Sequence, residues 1–389
     1  MAAVALLGWA DAGEARTFYV SSHGRDNGPG TTPGGAWRSI DRVNQARLQP
    51  GDIVRFEAGT VFSDQSLSPL SSGTAAKPIT FTSYGKDRAT LSNPKGAVFI
   101  PDGVSHLRFS DLRMTSGPSS PSSAFSSSMT GSGAKDIRII RSLLFASGGA
   151  GILSKLPTDS GWRIVRSTIR DVGDSGIILF GSRPLVSRTL VERVGLSSAI
   201  SWAKHGIYVK APYAVIQQST IRGYPNSGIS LRYRGARIES NRISGGEVGV
   251  GYFLYDNGFA TSVLAGNTIT GTRTAAFYYD GTGAEKGAGM TPLEAFDIRN
   301  NVFDAGGGVG LSIVNARNAE ISIVGNRFIG PAYWSIFAAA PAGRGRYAET
   351  KNVFVGAPHF NWNGSVLTFA EYRASSGAGA HDRLIAASA

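Results

Sequence analysis

The chain has 389 residues, 51 of them Gly and none Cys, with 17% charged residues and a net charge of +12. Without cysteine there is no disulfide framework and no thiol chemistry, and so much glycine with so little charge excludes a coiled coil or a disordered acidic chain. The basic excess favours a polyanionic partner, but no basic run interleaved with aromatics marks a nucleic-acid surface, and no stretch approaches the ~20 apolar residues of a membrane span.

Residues 1–15 read as the remnant of a signal peptide. Ala2 to Leu7 is apolar, and Ala10, Gly13 and Ala15 offer small residues near a cleavage point, although no basic residue precedes them. The protein is therefore expected to be secreted or periplasmic, with residues 16–389 as a single domain. Thr17 to Val20 reads as a first strand, and Ser21 to Trp37 as a Gly- and Pro-rich loop. Trp37, Ile40, Val43 and Ala46 recur at helical spacing, before Pro50-Gly51-Asp52 turns into a strand over Ile53 to Phe56. Pro78 to Tyr84 begins a rung-like pattern. Gly117 to Gly133, rich in Ser, Gly and Pro, reads as a mobile loop.

From about Asp136 one phrase recurs: a small polar residue, then a β-branched or aromatic pair. Its copies begin at Ser167, Ser219, Asn241, Asn267, Asn301, Asn326 and Asn352, with another at Arg188-Thr189-Leu190. A β-rich repeat with a period in the twenties is the mark of a solenoid. Each rung reads as three short strands with alternating apolar residues, so that one face points into a core. The Asn column reads as structural, its amides satisfying backbone groups at the turns. The helix at Trp37 to Ala46 caps the first rung, and Leu367 to Ala374 reads as a C-terminal helix.

The opening resembles secreted right-handed parallel β-helix proteins of the pectate-lyase-like superfamily. It carries Phe18-Tyr19-Val20-Ser21, Gly24-Arg25-Asp26, Pro29-Gly30-Thr31, Trp37, Pro50-Gly51-Asp52 and Pro78-Ile79. The Asn-x-apolar phrases and the ending Phe369 to Arg373, Gly377 and His381-Asp382 extend the resemblance over nearly the whole chain after residue 16. It implies an all-β right-handed parallel β-helix with a short N-terminal capping helix and a C-terminal helix, acting on a polysaccharide. The superfamily holds polysaccharide lyases, glycoside hydrolases, uronate epimerases, tailspikes and adhesins, so the fold does not select the reaction.

In that superfamily the substrate groove usually lies over the strand after the second turn of each rung. Here that strand aligns as Gly176 to Phe180, Gly206 to Lys210, Gly228 to Arg232, Gly249 to Phe253, Ala276 to Asp280 and Gly310 to Val314. Rungs lie about 4.8 Å apart, so Lys210 and Arg232 fall side by side. Like charges in register destabilise a sheet, which points to a bound anion such as a uronate carboxylate or sulfate; the other reading is that the two side chains splay into solvent or pair with a nearby acid. Lys204, His205, Tyr208, Lys210 and Arg232 then supply what β-elimination needs: cations for the carboxylate, a base for the C5 proton and an acid for the leaving oxygen. His205 or a lysine is the candidate base and Tyr208 the candidate acid, or Tyr208 serves as both; the other reading of His205 is a turn residue packed between Ser175 and Ser227. Trp202, Tyr233, Arg234, Tyr255 and Tyr278 are the candidate substrate-binding residues.

The alternative is a glycoside hydrolase with Asp256 and Asp280 as paired carboxyls. A uronate C5-epimerase or a non-catalytic adhesin would use the same face. No cofactor is expected. Pectate lyases of this fold hold calcium in acidic clusters, whereas these groove columns are basic, which leaves Asp26 and Asn27 as a minor alternative ion site. The expected partner is an acidic polysaccharide, with no nucleic acid and no membrane span. The sequence sets no oligomeric state.

Overall fold

The computed structural model describes residues 14–197, 203–253, 260–281, 295–316, 319–330, 333–339 and 347–386. Their strands form three sheets of 13, 13 and 12 strands that run the length of the molecule, and the chain visits them in turn. The first sheet runs from Thr17–Val20 to Tyr347–Thr350, and the second from Val61–Phe62 to Arg383–Ile385. The third runs from Val98–Ile100 to Phe360–Trp362 and is closed by the antiparallel strand Ser365–Leu367. All other strand pairs are parallel, so each strand meets its equivalent one rung away, as expected for a parallel β-helix.

Alternation builds the core. Ile152, Ile177, Ile207, Ile229, Val250, Phe277 and Leu311 lie in register in the third sheet and are buried. Aromatics stack along the same axis: Phe81 on Phe109 with centroids 5.1 Å apart, and Phe328 on Phe354 at 4.9 Å. The first sheet turns into the second through one residue per rung in the left-handed region. Arg141, Arg166, Arg188, Gln218 and Ser240 take this place with φ of 48, 51, 51, 51 and 57°.

The residue after that corner is the recurring polar one, and it forms a buried ladder. The backbone N–H of Ser142 donates to Ser167 Oγ (3.2 Å), that of Thr189 to Ser219 Oγ (3.1 Å) and that of Ser219 to Asn241 Oδ1 (3.0 Å). From there each Asn uses its whole amide. Asn267 Oδ1 accepts from Asn241 N (2.9 Å) and Nδ2 (3.0 Å), while Asn267 Nδ2 donates to Ile238 O (2.8 Å) and Asn301 Oδ1 (2.9 Å). The ladder ends at Asp382, whose Oδ1 accepts from Asn352 N and Nδ2 at 2.7 and 3.3 Å. A terminal member only has to accept, which suits a carboxylate.

Three expectations need correction. The rungs begin at Thr17, not near residue 78: Thr17–Val20 pairs with Ile53–Glu57, which pairs with Ile79–Tyr84. The stretch from Gly117 to Gly133 holds the strand Phe125–Ser127, because Phe125 is a core residue with no exposed surface. The N-terminal helix is only Ile40–Asn44, capped by the Ser39 side chain. Trp37 lies before it, bridged to Val20 and stacked on Phe18 at 4.6 Å.

The C-terminal helix Phe369–Ser376 starts at a Thr368–Glu371 capping box and ends at Gly377, where φ is 69°. It lays Tyr372 over Phe360, centroids 4.3 Å apart, and closes the last rung. Beneath it Tyr347 and Tyr372 both donate to Glu349 Oε2, and Asp382 stands beside that carboxyl. Burial first, then the Asp382 charge, hold Glu349 well above the carboxylate range, which favours its protonated form. A raised folded pKa gives stability that is complete below about pH 4.5 and is lost as pH rises toward the folded value. Glu349→Gln keeps a neutral donor, so its melting temperature is expected to fall less than that of the wild type between pH 4.5 and 8. Parallel pH profiles in thermal melts would refute a protonated Glu349.

Candidate functional site

The third sheet sets the register expected for the groove. Ile178, Tyr208, Ser230, Gly251, Tyr278 and Ser312 form one outward column. Phe180 pairs with Lys210, and Phe253 with Asp280, in the next outward column. Arg232 continues from Ser227–Leu231, with its N–H on Val209 O at 3.1 Å, which places it between Lys210 and Phe253.

These side chains form one continuous band. Lys210 Nζ lies 5.5 Å from the Phe180 ring centre and 5.8 Å from that of Tyr208. The Arg232 guanidinium sits between two rings, 5.0 Å from Tyr208 and 4.5 Å from Phe253. Its Nη1 donates to Ser230 Oγ at 2.7 Å and to Leu231 O at 3.1 Å. Phe253 leans on Tyr278 at 5.4 Å. Gly251 makes this possible, since a Cβ there would come within 2.8 Å of Phe253 Cε2. Burial, then the charge of Asp280, raise the Tyr278 phenol. From the Phe180 rung to the Tyr278 rung the band covers roughly 19 Å.

His205 lies under this band. Its backbone N–H donates to Ser175 Oγ at 3.0 Å, and its ring stacks on Tyr208 at 5.2 Å and 20°. Only 5% of the residue is exposed, and Nδ1 has no hydrogen-bond partner. Desolvation, then the charge of Arg232, push its pKa down to about 3. A neutral imidazole that resists protonation so strongly is a poor base at neutral pH, and its geometry positions the Tyr208 ring. Lys204 is also buried, and its ammonium donates to the carbonyl and hydroxyl of Ser197, both at 2.5 Å. That contact ties the turn before the strand and leaves the groove cations as Lys210 and Arg232.

Tyr233 and Arg234 lie half-buried at the corner between the third and first sheets, where Tyr213 N–H donates to Arg234 O at 3.0 Å. Asp280 shares the Lys210–Arg232 column, two rungs beyond Arg232. Trp202, Tyr255 and Asp256 lie outside the described residues, so the Asp256–Asp280 pair has no stated separation. The oxygens of Asp26 are taken by Arg38 N, Ser39 N and Ser39 Oγ at 2.8 to 3.0 Å. Among the described residues no cluster of three or more His, Asp or Glu is arranged for a metal ion.

Sequence reasoning did not find the polar cleft of about 700 Å³ at the N-terminal end of this face, lined by Asn44, Gln65, Asn93, Lys95 and Phe99 among others. Phe99 heads the Tyr208 column, four rungs away through Ser126, Leu153 and Ile178. Asn44 reaches the cleft because the capping helix folds over the first rungs, which no local pattern announces.

Residues 150–328 match the family model described as the right handed beta helix region. XylC, solved in complex with xylose, superposes with a TM-score of 0.60 at 9% identity over 95% of this chain and 86% of that one. The A-module of the mannuronan C-5 epimerase AlgE4 of Azotobacter vinelandii gives 0.52 at 13% identity, covering 90% of this chain and 89% of that one. The chain is folded as a right-handed parallel β-helix. At such identities the fold is what is shared. A shorter match, 44% identical over 73 residues, links it to a lacto-N-biosidase of Bifidobacterium longum; it spans 18% of this chain and 5% of that enzyme. Among the described residues no helix is long and apolar enough to cross a membrane.

Proposed function

We propose that the protein is an enzyme acting on an acidic, uronate-containing polysaccharide by β-elimination in the groove of the third sheet. The observation that carries this is the placing of Lys210 and Arg232 on adjacent rungs, both packed against the ring of Tyr208. Two cations on one ordered face can hold a uronate carboxylate through charge-assisted hydrogen bonds. A uronate carboxylate bound there loses charge, which makes its C5 proton more acidic. Removal of that proton sends the electron pair into a C4–C5 double bond and breaks the C4–O4 bond of the same uronate, so that the glycosidic oxygen leaves on C1 of the neighbouring sugar and takes up a proton there. Tyr208, beside both cations, is the group placed to pass the proton. Phe180, Phe253 and Tyr278 supply faces for sugar rings, and the N-terminal cleft extends the track for a long chain.

A second reading, glycoside hydrolysis, is favoured by the local identity to a lacto-N-biosidase and by Asp280 in the same column. One experiment separates them. The protein is incubated with polygalacturonate, alginate and neutral glycans, and both ultraviolet absorbance and reducing ends are followed. Elimination raises both together on uronate polymers. Reducing ends without absorbance would replace elimination by hydrolysis, and the absence of both products would remove the lyase and hydrolase readings.

A further inference from the structure

The first sheet carries a second charged surface, away from the groove. Arg108, Arg138 and Arg163 stand in one outward column on successive rungs, in register, with stems ~4.8 Å apart. Three residues further along each rung lies the left-handed corner, where Arg141, Arg166 and Arg188 follow one another. Stacked hydrogen bonds hold that corner: Arg141 N–H to Val165 O and Arg166 N–H to Ser187 O, each 3.0 Å. The two columns are ~10 Å apart and run for ~14 Å along the axis.

Little negative charge offsets them. Asp136 is gripped by Arg138 through two bonds of 2.8 and 2.7 Å and faces His106 Nδ1 at 3.1 Å. Asp111 is gripped by Arg141 at 2.8 and 2.6 Å. Arg188 donates to the neutral Gln218 at 2.8 Å. Arg163 and Arg166 are exposed, Arg108 is half-buried, and among the described residues none of the three has a carboxylate partner.

The fold does not require arginine at these places. Elsewhere the same corner holds Gln218, Ser240 and Asn300, and the same strand column holds Leu185 and Val215. Cations in register repel, and a side chain larger than Asn is uncommon at positive φ. Both unfavourable choices coincide on the rungs of Arg138–Arg141 and Arg163–Arg166, flanked by Arg108 on one side and Arg188 on the other, which is what a surface shaped for an anionic polymer needs.

We propose that this face is a docking site for an anionic polysaccharide, bearing carboxylates or sulfates, that runs along the helix axis on the first sheet. Neither column contains an aromatic ring for base stacking, and among the described residues no helix or ribbon stands on this face to enter a nucleic-acid groove, so a glycan fits better than a nucleic acid. The site lies on a different sheet from the groove and does not depend on the reaction proposed there.

The test uses the full chain and fluorescent heparin as a sulfated probe, with binding measured across a range of NaCl. Arg163→Ser/Arg166→Ser is expected to bind roughly tenfold more weakly at low salt and to lower the slope of log K against log[NaCl] by about 2. Arg327→Ser, at an exposed position of the second sheet away from both surfaces, should leave both unchanged, and circular dichroism melts confirm that each variant is folded. Unchanged heparin binding by the double variant would overturn the proposal, as would an equal loss on Arg327→Ser. Displacement of heparin by an equally charged DNA duplex at lower concentration would overturn it in favour of nucleic acid.

Discussion

Arg232→Met is expected to lower turnover on the acidic polymer roughly 10²–10³-fold, the loss typical when a preorganised charge is removed from a site of developing charge. The fold should survive. Arg232 is 7% exposed and its guanidinium sits between Tyr208 and Phe253, so much of its stem acts as packing, and Met preserves that apolar filling. A second measurement separates a site role from a structural one. The Arg232 charge is the lesser of two causes that depress His205, whose pKa is about 3. Without it the imidazole should titrate higher, while burial still holds it below 6.5. A depressed histidine contributes stability that is present above its unfolded pKa of 6.5 and is lost as pH falls toward the folded value. The variant should therefore lose less stability in acid than the wild type. Histidine ring protons followed by NMR from pH 3 to 8, together with turnover, check both. An upward shift of His205 with undiminished turnover would show that Arg232 acts on its neighbours and not on substrate.

The legible part of this site was its register. The groove strands each open on a small residue followed by an apolar one, and the 22-residue step from Ile207 to Ile229 puts Lys210 beside Arg232. Which way a turn residue points was not legible. His205 and Lys204 precede Gly206 at a bend, where the two-residue alternation of a strand does not apply; the structure turns His205 under Tyr208 and Lys204 onto Ser197. Early rungs were hidden for a different reason. The capping segment separates Thr17 from its partner Ile53 by more than a rung's length, so no period shows. Around Phe125 a three-residue strand is flanked by Ser, Gly and Pro, and composition outweighs a single apolar residue. The arginine columns were visible as residues but not as a surface, because their alignment depends on unequal rung lengths between Arg108 and Arg188.

The polar ladder offers the largest effect on stability. Asn301→Ala is expected to cost roughly 3–6 kcal/mol, because each buried partner left unsatisfied costs about 1–3 kcal/mol. Asn301 Oδ1 accepts from Asn267 N and Nδ2, both at 2.9 Å, and its Nδ2 donates to Leu264 O at 2.8 Å and to Asn326 Oδ1 at 2.9 Å. Alanine leaves Asn267 N–H, the Asn267 amide and Leu264 O without these partners in a site 1% exposed. Asn301→Asp should be worse than alanine at neutral pH despite its similar shape. The carboxylate has no proton to give, so its second oxygen would face Leu264 O and Asn326 Oδ1, acceptor against acceptors, as a buried charge. The same carboxylate is harmless at Asp382 because no further rung asks it to donate. Asp382→Asn therefore tests the converse and should change stability by less than Asn301→Asp. Urea unfolding of the three variants, followed with hydrogen exchange on neighbouring rungs because a solenoid can open locally, ranks them. If Asn301→Asp proved as stable as Asp382→Asn, the ladder would not depend on the direction of its hydrogen bonds, and the constraint that writes Asn into successive rungs would have to be sought in the turn backbone instead.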